Sequence, residues 1–273
     1  MLNSSMLALA AEGGHGGGGQ DDTLGDVIMH HLTDASELWG VHLPGVHIGS
    51  VDLSISKLVI MMWLAALVVI AVVQLGYRRG GVPHGLGNFL EVLIVFVRDD
   101  IVGVNFGPHG KRYVPFFLTL FFFILMMNLL GLVPWMSTAT GNVNVTGALA
   151  LCTLGMIHGA GMRKHGIVQH WKNQMPPGIP VLLFPIMIPV ELIGMLTKPF
   201  ALMIRLFANM TAGHVVILAL FGIIIDTGSF FATPVILFPV AITLLEIFIA
   251  FLQAYIFTFL SAIFISSTVH GAH

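Results

Sequence analysis

Charge is scarce in this chain: Asp, Glu, Lys and Arg make up 9% of its 273 residues, where soluble domains carry about 25%. That scarcity excludes an ordinary water-soluble domain. The 56% hydrophobic content and mean hydropathy of +0.94 point instead to an all-α integral membrane protein. A formal net charge of −2 offers neither a basic face for nucleic acid nor a field for an acidic substrate. Cysteine is nearly absent. The single Cys152 leaves no intramolecular disulfide and no thiol metal site, and within its apolar run it reads as a small buried hydrophobe. No GxxxxGK[ST] loop is present, so the sequence offers no phosphate cradle of that kind, and no cofactor or metal is expected.

The first 52 residues read as an extramembrane segment. MLNSSMLALAAEGG has no basic leader and only a short apolar run, so it reads as a tail, followed by a flexible Gly-rich stretch (EGGHGGGGQDD). Leu24, Val27, Ile28, Leu32, Ala35, Leu38 and Trp39 then recur at helical spacing, which predicts a short amphipathic surface helix. His30, His31, His42 and His47 have no metal-ligand spacing and read as a solvated group.

The membrane domain is expected over 53–273. Apolar runs predict spans over 57–77, 113–133 and 145–161. Residues 86–104 carry an apolar stripe broken by Glu91, Arg98 and Asp99, which predicts an interfacial helix. Two further runs are too long for an upright span. As continuous helices, 181–222 would measure about 63 Å and 234–268 about 52 Å, against a hydrocarbon core of roughly 30 Å. Each is either a re-entrant hairpin or one steeply tilted helix. Pro185, Pro189 and Pro199 permit bends in the first, whereas the second, with only Pro239 after its start, favours one oblique helix. About five membrane-embedded helices are therefore expected. Arg78, Arg79, Arg98, Lys111, Arg112, Arg163, Lys164 and Lys172 all fall in two loops, and the loop between them (PWMSTATGNVN) has no basic residue. Both basic loops are expected in the cytoplasm, with the N-terminus outside and the C-terminus inside.

Few polar groups remain at membrane depth, and such residues line wet paths or pair inside bundles. They are Glu191, Lys198, Arg205, Asn209, His214, Glu246 and Gln253. Glu191, Lys198 and Arg205 follow at intervals of seven and drift only about 20° each around a helix. Asn209 stays near Arg205, whereas His214, nine residues on, falls on the opposite side. Glu246 and Gln253 share a face of the last helix. The alternatives are ordinary ones: Arg205 snorkelling to an interface, a structural His214–Glu246 pair, and Lys198 as an interfacial residue before Pro199. His158 reads as filler alone at the end of a span, and Asp226 as a turn residue.

The runs TKPFALMIRLFANMTAGH and EIFIAFLQAYIF, with GLVP at 131–134 and NVTGALAL at 144–151, resemble subunit a of F-type ATP synthases from about Leu53 to Thr268. The resemblance implies a proton-translocating stator subunit of the bacterial inner membrane, not catalytic alone. Its implied partners are the c-ring, the peripheral-stalk b subunits, the remaining ATP synthase subunits and membrane lipid. It implies that Arg205 is the essential arginine facing the ring carboxylates and that Asn209 and Gln253 are its polar companions. Glu191 then belongs to a cytoplasmic half-channel, His214 and Glu246 to the opposite one, and the two long runs are tilted helices along the ring. His214 and Glu246 exchange the residue types found in the best-known bacterial members, which suggests that the two meet across helices. A stand-alone cation/proton antiporter would use similar buried groups but calls for inverted repeats, and the sequence shows no internal symmetry. A membrane haem protein using His158 and His214 is a further reading.

Overall fold

A computed structural model of the chain describes residues 37–38, 41–42, 47–48, 51–52, 56–76, 85–133, 139–173, 184–227 and 232–270. The N-terminal tail and most of the segment expected as an amphipathic helix lie outside these residues. At that segment's end, Glu37–Leu38 (β1) pairs antiparallel with Val41–His42 (β2) rather than continuing a helix. A second minimal pairing joins His47–Ile48 (β3) to Val51–Asp52 (β4).

Among the described residues the rest is mainly helical, and five of these helices are long and apolar enough to cross a membrane. They are α1 (Lys57–Gly76), α3 (Val114–Gly131), α4 (Val143–His165), α6 (Phe184–Thr227) and α7 (Ala232–His270). Shorter elements are α2 (Leu86–Val95) and α5 (Ile167–Asn173). Beyond α2 the chain continues through a π-helical stretch (Phe96–Gly103) and a 3₁₀ turn (Gly107–Arg112).

Local chemistry sets several of these ends. The Asn142 side chain accepts the Asn144 N–H at 2.8 Å and starts α4 before the apolar run itself begins. At the other end Arg163, Lys164 and His165 complement the negative end of the helix dipole, and Gly166 closes it at φ 81°, a positive value that favours glycine. The helix thus extends past both ends of the apolar run expected over 145–161.

Both long runs are single helices. Pro189 and Pro199 lie inside α6 without ending it. At 1.5 Å per residue its 44 residues measure about 66 Å, and the 39 of α7 about 58 Å. Neither length fits upright within the hydrocarbon layer.

The core forms where α3 and α7 meet the π-helical stretch. Phe121 packs edge-on against Phe96 and Phe251, with centroids 6.5 and 5.8 Å apart, and Tyr255 lies 5.5 Å from Phe96. Asn128, fully buried on α3, donates from Nδ2 to the Ala250 carbonyl of α7 at 3.3 Å. Leu202 and Leu206 of α6 and Phe257 and Ile265 of α7 are buried in the same core. The phenylalanine-rich run from Phe121 to Met127 is packing: Phe121, Phe122, Ile124, Leu125 and Met127 are all buried. Cys152, in contrast, is exposed on α4 rather than buried, because the inward face of that helix is taken by Val145, Thr146, Ala150, Thr153 and Ile157.

Candidate functional site

Helices α6 and α7 carry every polar residue singled out at membrane depth. Arg205 sits at the centre of the apolar stretch Ile193–Ile217 of α6, twelve residues from either end. One side of α6 around it is buried through Leu202, Leu206 and Met210. The other, with Ala201, Ile204, Arg205, Ala208, Asn209 and Ala212, is uncovered. Arg205 therefore projects from an exposed, largely apolar helix face, and it forms no ion pair among the described residues. Beside it is a shallow concavity of about 380 Å³ bordered by Lys198, Ala201, Leu260 and Phe264. Lys198 is exposed as well, with its Nζ 5.5 Å from the centre of the Phe264 ring, a cation–π distance.

Glu246 and Gln253 are placed differently. Both are buried on α7, 7% and 4% exposed. The carboxyl group of Glu246 packs onto the backbone of α6 at Gly213, where any Cβ would collide with its Oε1 and stand 3.1 Å from its Cδ. Its other oxygen, Oε2, is buried with no hydrogen-bond partner among the described residues. A buried polar atom left without a partner costs about 1–3 kcal/mol, so its retention calls for a reason such as a catalytic role or a bound water or ion. Thr211, two residues before Gly213, reaches the carbonyl of Gly141 at 3.5 Å and ties this part of α6 to the turn before α4.

The site thus divides into an exposed pair, Arg205 and Asn209, and a buried pair, Glu246 and Gln253. His214 follows Gly213 in α6, so its backbone lies beside the Glu246 carboxyl. Glu191 lies in the same helix, fourteen residues before Arg205. For these two the structure fixes the helix position.

Gly213 escaped the sequence reading. A glycine inside a helix is a weak signal on its own, and its use here, to admit a carboxyl group against the helix backbone, is visible only across the α6–α7 contact. His158 departs from its sequence expectation for a similar reason. It is not alone: its Nδ1 lies 3.1 Å from Nε2 of His170 on α5, and its ring stacks on Trp171 at 5.8 Å. Helix α5 folds back beneath α4 after Gly166, and periodicity in α4 contains no trace of that return.

The family described as ATP synthase A chain matches over residues 59–266. The chain is 50% identical over 240 residues to ATP synthase subunit a of Myxococcus xanthus, covering 86% of this chain and 79% of that one. It is 45% identical over 280 residues to ATP synthase subunit a 2 of Prosthecochloris aestuarii, with 97% and 84% covered. To ATP synthase subunit a of Chloroherpeton thalassium it is 45% identical over 260 residues, with 92% and 78% covered.

Proposed function

The chain belongs to the ATP synthase A chain family, and on that footing we propose that it is the proton-conducting stator subunit of an F-type ATP synthase, with Arg205 facing ionisable carboxylates on a rotating c-ring. The observation that carries the reading is the position of Arg205, central in a membrane-length helix, exposed on an apolar face and without an ion partner among the described residues. A guanidinium practically never loses its proton, so at that depth it calls for an anion from outside the chain. Ala201, Ala208 and Ala212 around it are small and let another helix come close.

The buried carboxyl of Glu246 supplies the complementary part. Protons enter from the outer side near His214 and Glu246 and neutralise a ring carboxylate, which then turns through lipid uncharged. Carrying it there ionised would cost several kcal/mol or more. On the cytoplasmic side the proton leaves near Glu191. Arg205 stabilises the ionised ring carboxylate and blocks direct proton flow between the two half-channels, with Asn209 and Gln253 as polar companions. Each charge that crosses releases about 2.3 kcal/mol per 100 mV, so several must cross per ATP formed in a partner subunit. The exposed apolar side chains Val240, Leu244, Leu245 and Phe248 of α7 suit burial against lipid, peripheral-stalk b subunits or the ring.

The experiment is replacement of Arg205 in membrane vesicles holding the assembled complex. Arg205→Ala abolishes ATP-driven proton pumping and opens a passive proton leak. Arg205→Lys fails as well, because lysine can shed its proton in a low-dielectric site. Wild-type pumping by Arg205→Ala would overturn the proposal.

A further inference from the structure

A roomy cavity lies away from the α6 face. It measures about 630 Å³, and its wall includes Arg112, Arg163 and Lys164 above a floor of Phe106, Met156 and Val269. Three element ends converge on it. Arg112 closes the 3₁₀ turn just before α3 begins, Arg163 and Lys164 lie in the last turn of α4, and Val269 is at the end of α7. All three cations are exposed, and none forms an ion pair among the described residues. Arg98 behaves otherwise: its Nε donates to Asp99 Oδ1 at 2.7 Å.

Two of the cations have a local use, since Arg163 and Lys164 complement the negative end of the α4 dipole. Arg112 has none. It precedes the positive end of α3, which starts at Tyr113 without a side-chain cap, and a cation there is disfavoured. A guanidinium kept beside a positive helix end and two further cations calls for an anion from outside the chain. The floor sets the rest of the chemistry. Phe106 and Val269 are 2% and 4% exposed, so the cavity is cationic at its mouth and apolar below. It lies where α3 enters and α4 leaves the membrane-length part of the fold, the level of lipid headgroups.

We propose that this cavity binds an anionic phospholipid, its phosphate held by Arg112, Arg163 and Lys164 and the start of its acyl chains lying on Phe106 and Met156. Basic pockets between membrane helices suit such headgroups, and each basic residue near a lipid phosphate strengthens binding by roughly fivefold. The inference does not depend on the role of Arg205.

The test uses the purified, delipidated complex and a photoreactive phosphatidylglycerol, with photoreactive phosphatidylcholine as its zwitterionic counterpart of zero net charge. The phosphatidylglycerol probe labels peptides containing Phe106 or Met156, and the phosphatidylcholine probe labels them far less. At subsaturating lipid, Arg112→Gln, Arg163→Gln and Lys164→Gln each lower the label about fivefold. Arg163→Lys, which keeps the charge, retains most of it and shows that the fold survives change at that position. Arg98→Gln leaves the label unchanged. Equal labelling by both lipids, or indifference to the three Gln variants, overturns the proposal. So does complete displacement by inorganic phosphate, which would make this a site for free anions. Labelling of the isolated full-length chain but not of the complex also overturns it, since another subunit would then fill the cavity.

Discussion

The carboxyl group of Glu246 on α7 rests against the bare backbone of Gly213 on α6, in space that any side chain at 213 would occupy. The glycine therefore sets how near a buried acid comes to the helix that carries Arg205. Gly213→Ala pushes the carboxyl aside or forces the helices apart. Its backbone is helical, so alanine itself is tolerated there and complex assembly persists. ATP-driven acidification of inverted vesicles is expected to drop at least about tenfold, the scale on which small misplacement of a reacting group acts. Normal acidification by a fully assembled Gly213→Ala complex would show that the position of Glu246 is immaterial.

The same contact bears on the exchanged residues. With Gly213 against Glu246, the next residue, His214, starts from a backbone already beside the acid. Replacing either by alanine is expected to stop proton pumping. The double variant His214→Glu with Glu246→His restores one acid and one imidazole across the same pair of helices and recovers part of it. Equal and complete loss in the double variant counts against a functional contact between 214 and 246.

The membrane fold was legible because hydropathy alone specifies it: apolar stretches of this length have no other way to satisfy their backbone groups. Arg205 stands out in the sequence for the converse reason, as one of three charges, with Glu191 and Lys198, inside a long apolar run. Contacts between helices were not. His158 meets His170 only because the chain reverses at Gly166, and Gly213 matters only because Glu246 lies opposite. Single-helix periodicity says which face a residue occupies and nothing about what covers it. Cys152 was misplaced on that account, its apolar neighbours being shared between the core and the outer face of α4. The π-helical stretch at Phe96–Gly103 is too short for its wider i→i+5 turns to show as a period, and the residues around it fit an α-helical stripe equally well.

Asn128 offers a test of how α3 and α7 are held together. Its Nδ2 donates to Ala250 across the core, while its Oδ1 is buried with no partner among the described residues. Hydrogen bonds between membrane helices contribute about 0.6 kcal/mol on average, and the lone oxygen carries a desolvation cost of about 1–3 kcal/mol. Asn128→Ala loses the bond and leaves a void, for a net loss of about 1–2 kcal/mol. Asn128→Leu fills the same space without a stranded oxygen and is nearly neutral. Thermal unfolding of the detergent-purified chain ranks the variants. A larger loss for leucine than for alanine would contradict this account of the site.

The docking of α5 responds to pH through His170. Burial, with the charges of His158 and His165 behind it, holds the His170 imidazole below its ordinary value. Its hydrogen bond to His158 also needs one ring nitrogen to donate and the other to accept, which two imidazolium rings cannot do. When α5 is undocked, His170 recovers an ordinary value near 6.5, so the undocked form binds the extra proton first. Docking is then at full strength above about pH 6.5 and weakens as the pH falls below it. Backbone hydrogen exchange across Ile167–Asn173, corrected for its intrinsic pH dependence, is expected to quicken by up to about tenfold per pH unit in that lower range, the limit for one linked proton. His170→Gln keeps a hydrogen-bonding group but cannot take up a proton, and flattens the profile. Exchange that stays constant from about pH 7.5 to 5.5 in the unmodified chain would mean that α5 is held by contacts other than this imidazole pair.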